Sequence, residues 1–300
     1  MEKGGEGLDK AYGDTVNRIE NQGQGIRELA KRVLFWIVYA KRPLTTEELR
    51  HALAVEPDTC RLDETNLYPV SDMVSSCAGL VTVDSNIIRL VHYTTQEYFQ
   101  LRGSEIFEDV QRDTIATSCL TYLSYDVFAG GHVTSLQSRL QQNAFFDYAA
   151  QNWGYHTQDA QQSVGDLALK LLMDDRKASA SSQCLFKFSY YFSWKYSFGM
   201  HLVAYFGLND IMARLLEVKD PDTRDSRGQT PLSYAAEKGN ARAVELLFDY
   251  DVDVCSKCDD GWTPFSRAIE GGSAAVVKVL LARGVRIDEQ YELVRIFNHM

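Results

Sequence analysis

No apolar run in this 300-residue chain is long enough to cross a bilayer: the longest, residues 33–40, falls far short of the ~20 residues a spanning helix needs. The opening Met1-Glu2-Lys3-Gly4-Gly5 lacks the apolar core of a secretory signal, so a cytoplasmic location is expected. Cysteine is sparse. Six thiols scattered along the chain do not form the dense pattern of a secreted scaffold and suit small buried hydrophobes. Cys255-Ser256-Lys257-Cys258 is a lone pair where structural zinc wants four ligands, so it reads as a loop rather than a metal site. Positive charge is short as well: 31 Lys and Arg stand against 41 Asp and Glu, a net charge of −10. That balance disfavours nucleic acid or an anionic membrane as partner and suits a basic protein surface. The phosphate-cradling Gly-x-x-x-x-Gly-Lys-Ser/Thr loop is missing, and so is the Gly-x-Ser-x-Gly nucleophile elbow. No enzyme activity and no cofactor are expected.

What is present is ordinary globular material, 45% hydrophobic and 24% charged, with length for two or three cores. Leu8, Tyr12, Val16 and Ile19 are spaced for a short amphipathic helix over residues 7–20, and residues 26–40 carry a stronger one that stops before Pro43. Thr45 and Glu48 have capping-box spacing at the head of a third helix. Residues 57–68 read as a loop and residues 70–77 as a helix ended at Gly79. Residues 80–83 and 87–91, rich in β-branched side chains, read as a hairpin. Three helices followed by a two-stranded wing are the layout of a winged helix. The helix at residues 70–77 has Ser71, Asp72, Ser75 and Ser76 but no Lys or Arg, so DNA binding through it is not expected.

Residues 104–178 are mostly helical in pattern, over 106–125, around Phe145–Trp153 and over 164–173. Serines and aromatics interleave through residues 179–198, which read as a packed linker covering the residues C-terminal to it. From there the chain repeats itself. Gly228-Gln229-Thr230-Pro231-Leu232-Ser233-Tyr234-Ala235-Ala236 returns 33 residues later as Gly261-Trp262-Thr263-Pro264-Phe265-Ser266-Arg267-Ala268. This period, with Thr-Pro opening a helix, is the ankyrin signature. Repeats are expected over residues 200–222, 223–254 and 255–288, with Gly207, Gly239 and Gly272 in the left-handed position between paired helices. The pairs Leu215-Leu216, Leu246-Leu247 and Leu280-Leu281 should form the shared core. Residues 289–300 read as a polar cap or a repeat cut short.

The segments Leu29-Ala30-Lys31-Arg32-Val33-Leu34-Phe35-Trp36 and Val91-His92-Tyr93-Thr94-Thr95-Gln96-Glu97-Tyr98-Phe99 resemble the winged-helix part of fungal NACHT-ankyrin proteins of the STAND type. They are also similar to the winged-helix module named after the GPI inositol deacylases. Tyr148-Ala149-Ala150-Gln151-Asn152-Trp153 resembles the helical spacer of the NACHT-ankyrin family, and Gly7-Leu8-Asp9-Lys10-Ala11-Tyr12 the tail of a NACHT module. The resemblance implies signalling or nonself recognition by nucleotide-dependent switching, with His92 reaching the β-phosphate of ADP held by a nucleotide-binding module. From this chain alone, His92 reads instead as the cap of the next helix.

The expected fold is therefore mainly α: a winged helix with a small β-wing, a helical spacer and an ankyrin-repeat α-solenoid. The expected segments are 1–24 (tail of a NACHT-like segment), 25–103 (winged helix), 104–178 (spacer), 179–198 (aromatic linker) and 199–300 (about three repeats with a cap). Repeats of this kind bind proteins. Resemblance to ankyrin binders assigns the contacts to Ser226, Arg227, Gln229, Glu237 and Lys238 in one repeat and to Asp259, Asp260, Trp262 and Glu270 in the next. Trp262 is either the anchor of the interface or a packing residue against the neighbouring repeat.

Overall fold

The computed structural model describes residues 3–111, 113–187 and 198–285. The chain divides into two compact units, residues 1–125 with 140–152 and residues 126–139 with 153–300.

The first unit opens with α1 (Lys3–Glu20) and α2 (Gln24–Tyr39). Leu29, Val33, Leu34 and Trp36 line the buried side of α2, as their helical spacing predicts. α1 is packed on this unit, with Ile19 buried and Glu20 holding Lys31 at 2.8 Å. After Pro43 come β1 (Leu44–Thr45), α3 (Thr46–Ala54) and α4 (Val70–Ser76). The expected capping box is present: Thr45 Oγ1 accepts from the Glu48 N–H, and the Glu48 carboxylate accepts from the Thr45 N–H. β2 (Val81–Asp84) and β3 (Ile87–Leu90) form the wing through Ser85 and Asn86, both at positive φ, as a two-residue turn needs.

The sheet has three strands rather than two, in the order β1-β3-β2 and antiparallel throughout. β1 escaped the sequence reading because two residues carry no alternation; only its pairing with β3 makes it a strand. α5 (Tyr93–Ile106) and α6 (Thr114–Leu123) are separate helices. The single helix expected over residues 106–125 is thus corrected: Phe107 ends α5, its N–H bonding back to Gly103 C=O. α7 (Leu136–Gln142) and α8 (Phe146–Thr157) follow, and the division between units passes through both. Within the first unit, Phe145 and Tyr148 set their rings edge-on to Trp36 at 5.5 and 5.9 Å, and Tyr148 OH accepts from the Lys41 N–H at 2.9 Å. The stretch read as a spacer is therefore shared between two bodies.

The second unit continues with α9 (Gln161–Met173) and α10 (Asp175–Leu185). Residues 179–185 are helical, which corrects the expectation of a linker from 179. Asp174 caps this helix, accepting from the N–H groups of Arg176 and Lys177, and its small residues Ala178, Ala180, Ser181 and Ser182 are buried. Small side chains let helices approach closely, a use that composition alone does not reveal. The rest of the expected linker, residues 188–197, and the expected cap at 289–300 lie outside the described residues.

Three helix pairs then stack: α11 (Gly199–Phe206) with α12 (Asn209–Leu215), α13 (Pro231–Glu237) with α14 (Ala241–Phe248), and α15 (Pro264–Glu270) with α16 (Ala274–Ala282). Thr230 and Thr263 cap α13 and α15, each followed by proline in the first turn, where its missing N–H costs nothing. Gly207, Gly239 and Gly272 have φ of 68°, 74° and 71°, the left-handed position expected between paired helices. The leucine pairs are only partly core: Leu215, Leu216, Leu247 and Leu280 are buried, whereas Leu246 is half-buried and Leu281 exposed. Adjacent positions on a helix point about 100° apart, so Leu247 and Leu280 turn inward while Leu246 and Leu281 turn outward; Leu216, past the end of α12, escapes that constraint.

α9 and α10 cover the face of the first repeat that a further repeat would occupy. Gly199 sits so close to α9 that a Cβ there would lie 2.3 Å from Leu172 C=O. Asp166 and Asp175 pair with Arg214 and Lys219 on the first repeat. An end repeat needs such a polar-faced cap to shield its apolar side.

Candidate functional site

The loops that open α13 and α15 have one backbone shape. Asp225 N–H donates to Gln229 C=O, and 33 residues on Cys258 N–H donates to Trp262 C=O, both at 3.0 Å. The loops are fastened to each other. Asp259 N–H donates to Arg227 C=O at 2.9 Å, Arg224 Nη1 donates to Lys257 C=O at 3.0 Å, and Arg227 Nη2 pairs with the Asp260 carboxylate. Ankyrin loop tips are thereby held as one preorganised edge, which limits the entropy lost on binding.

The expected contact residues divide on this edge. Gln229 is 1% exposed, and its carbonyl accepts from His201 Nε2 at 3.0 Å, so it is withdrawn as a contact: its place is inside the stack. Arg227 is buried and bonded across to Asp260, and Ser226 is half-buried. Asp259, Asp260, Lys238 and Glu270 are exposed and Glu237 is half-buried. Lys238 lies 3.4 Å from Glu237 and 4.6 Å above the ring of Tyr205. Trp262 is half-buried, with the Arg267 guanidinium 5.2 Å from its ring centroid. Arg267 in turn donates from Nη1 to Glu270 at 2.7 Å. Sequence reading missed Arg224, Tyr205 and Arg267. The one available signal was Arg267 itself, which stands where the preceding repeat has Tyr234.

The first unit holds the second candidate. His92 is exposed at the N-cap of α5, and its Nδ1 accepts from the Thr94 N–H at 3.2 Å. That bond keeps the proton of the neutral ring on Nε2, which remains as a donor. Thr94 Oγ1 lies 2.8 Å from the same nitrogen and 2.6 Å from Tyr12 OH of α1, so the ring is steadied from two elements. Beside it opens a cleft of ≈ 360 Å³ with Lys41, Arg42 and Arg89 in its wall. Arg42 is committed to a bidentate pair with Glu48 and a further contact to Asp147, and Arg89 to Asp84. Lys41 and Arg42 come from the turn before β1 and Arg89 from β3, and only the sheet brings the first pair to His92.

Among the described residues no group of His, Cys, Asp and Glu is arranged to hold a metal, and no helix is long and apolar enough to cross a membrane. Cys255 is exposed and Cys258 buried, so the two thiols do not share an environment. The exposed side of α4 offers Ser71, Asp72 and Ser75, without a cation for a phosphate.

The fold and these two surfaces define a winged helix joined to ankyrin repeats, proteins whose repeats are non-catalytic interaction modules. Comparison of families bears on both parts: residues 18–106 match the winged helix domain of the GPI inositol-deacylase type, and residues 200–291 match ankyrin repeats in three copies. No curated protein matches the chain.

Proposed function

We propose that this protein is a non-enzymatic regulatory module that binds a partner protein through its ankyrin repeats. The observation that carries this reading is the fastened loop edge, on which Asp259, Asp260 and Trp262 keep exposed surface, with Lys238 and Glu270 exposed at the far ends of α13 and α15. Tryptophan, tyrosine and arginine dominate binding energy at interfaces, which makes Trp262 the anchor. Resemblance of the winged helix to NACHT-associated segments supports a role in fungal STAND-type signalling or nonself recognition in the cytoplasm. The experiment is a photo-crosslinking capture from native extract with the probe beside Trp262, repeated on a Trp262→Ala, Lys238→Glu double variant. The proposal expects one recurring partner whose recovery falls at least about tenfold in the variant while the native fold is retained. Equal recovery would sink it.

One observation favours a second reading, in which the chain is the sensor half of a nucleotide-dependent switch. The cap leaves Nε2–H of the exposed His92 as a donor for an anion, as contact with the ADP phosphate of a NACHT module requires. Its test is ADP retention by such a module added in trans, with and without His92→Ala; retention indifferent to the substitution removes it.

A further inference from the structure

The cleft beside His92 is built on an unfinished sheet edge. β3 runs for four residues, yet β1 pairs only with Ile87 and Ile88. On β1, Leu44 and Thr46 face β3 and Pro43 faces away, so the next position that could continue the ladder is Arg42, and among the described residues it is not paired with Leu90. Along a strand, backbone groups of alternate residues face alternate edges. Asn86 C=O accepts from Thr46 N–H on the β1 side, while Val91 N–H turns the other way to Leu80 C=O. Leu90 therefore directs its N–H and C=O to the same edge as Asn86 and Ile88, beyond the end of β1. Among the described residues it has no strand partner on that edge.

The walls of the cleft add chemistry to this open edge. Lys41, Arg42, Arg89 and His92 line it and no carboxylate does, in a chain where acidic residues outnumber basic ones by 41 to 31. Lys41 and His92 are exposed, and among the described residues neither is in an ion pair. Ile37, Pro43, Leu90 and Tyr93 supply the apolar surface of the cleft. A free phosphate would use the cations but neither that surface nor the strand edge. An extended chain uses all three, because its side chains alternate between two faces while its backbone pairs sideways.

We propose that this cleft docks an extended acidic segment of a partner protein, which adds a short strand to β3 at Leu90 and sets its carboxylates against Lys41 and His92. Apolar side chains at alternate positions of that segment rest on Ile37 and Tyr93. The site goes beyond the repeat surface and stands or falls separately from it.

The test is fluorescence anisotropy on the full chain with three labelled peptides of one alternating pattern. One carries glutamate and valine, the second lysine in place of glutamate, and the third the acidic sequence with alternate amides N-methylated. The acidic peptide should bind saturably and the other two should not. Lys41→Glu combined with His92→Asp, which keeps a capping side chain on α5, should weaken binding about tenfold or more. Trp262→Ala should leave it unchanged, separating this site from the repeats. Absence of binding by the acidic peptide, or equal binding of the N-methylated one, would overturn the proposal. So would displacement of the acidic peptide by ADP, which would assign the cleft to a nucleotide phosphate.

Discussion

The second and third repeats hold the same loop in the same shape with different side chains. In the second, Asp225 is buried and its carboxylate accepts from the N–H groups of Arg227 and Gln229 and from Tyr234 OH, each at 2.8 Å. In the third, Cys258 stands in that place and Arg267 replaces the tyrosine. A thiol accepts hydrogen bonds weakly, and Arg267 turns instead to Glu270 and the face of Trp262. The backbone pair across the loop survives in both, so backbone geometry specifies the fold of the loop and the side chains decide how firmly it is held. The loop with the weaker internal support is thus the one that presents the aromatic residue.

Breaking the stronger lock should have the largest effect. Asp225→Ala leaves three donors in or near the core without their acceptor and should cost about 3 kcal/mol, since each orphaned group costs about 1–3. Cys258→Ala should cost about 1 kcal/mol, the worth of a small buried apolar group. Urea unfolding of the full chain measures both, and equal losses would contradict the asymmetry.

The same two repeats differ one helix further on. Gly271 is the equivalent of Lys238, and a Cβ at Gly271 would lie 2.0 Å from Glu237 C=O. Backbone cannot swing aside as a side chain can, so Gly271→Ala should lose about 1–3 kcal/mol. Lys238→Ala removes its contact with the Tyr205 ring and a half-exposed ion pair with Glu237 and should lose no more than about 1 kcal/mol. A thermal shift of similar size for both would show that α15 relaxes away from Glu237.

The first repeat sharpens the comparison through pH. His201 occupies the position of Ser233 and Ser266 and is fully buried, accepting from the Phe198 N–H on Nδ1 and donating from Nε2 to Gln229 C=O. Burial pushes its pKa down, against the opposing pull of the Asp225 charge. The folded ring therefore stays neutral where the unfolded ring, near the usual value of about 6.5, takes up a proton. Stability from this residue is full above about pH 6.5 and is lost as pH falls from there through the depressed folded value. The urea midpoint of the native chain should thus fall more steeply between about pH 7 and 5 than that of His201→Gln. Identical slopes would remove the imidazole from the account. His51, in the other unit, is also shifted down by burial, which is why the difference between the two proteins is the quantity to read.

Legibility followed the range of the signal. The capping box at Thr45 and Glu48, the Thr-Pro helix starts and the left-handed glycines are local, each fixed by a few neighbouring residues, and all could be read directly. β1 could not, because two residues become a strand only by meeting β3. The helix over residues 179–185 was hidden by serines whose unfavourable propensity is offset by close packing, and its signal, Asp174 as a cap, lay before the stretch read as a linker. At the candidate sites the residue types were visible but not their directions: Gln229 faces inward and Arg227 is bonded to Asp260.

By itself the sequence determined the class of each part, because repeat period, capping residues and apolar spacing are set by backbone geometry within a few turns. It also determined the acidic balance against which a cation-lined cleft stands out. Only the tertiary structure decided which surfaces remain available. It brings Lys41 to Arg89 and His92 around an open strand edge, and it turns Arg267 onto Trp262 where the loop lacks its aspartate. Such choices depend on which neighbour satisfies each charge and hydrogen bond, and that neighbour is set by the fold rather than by position along the chain.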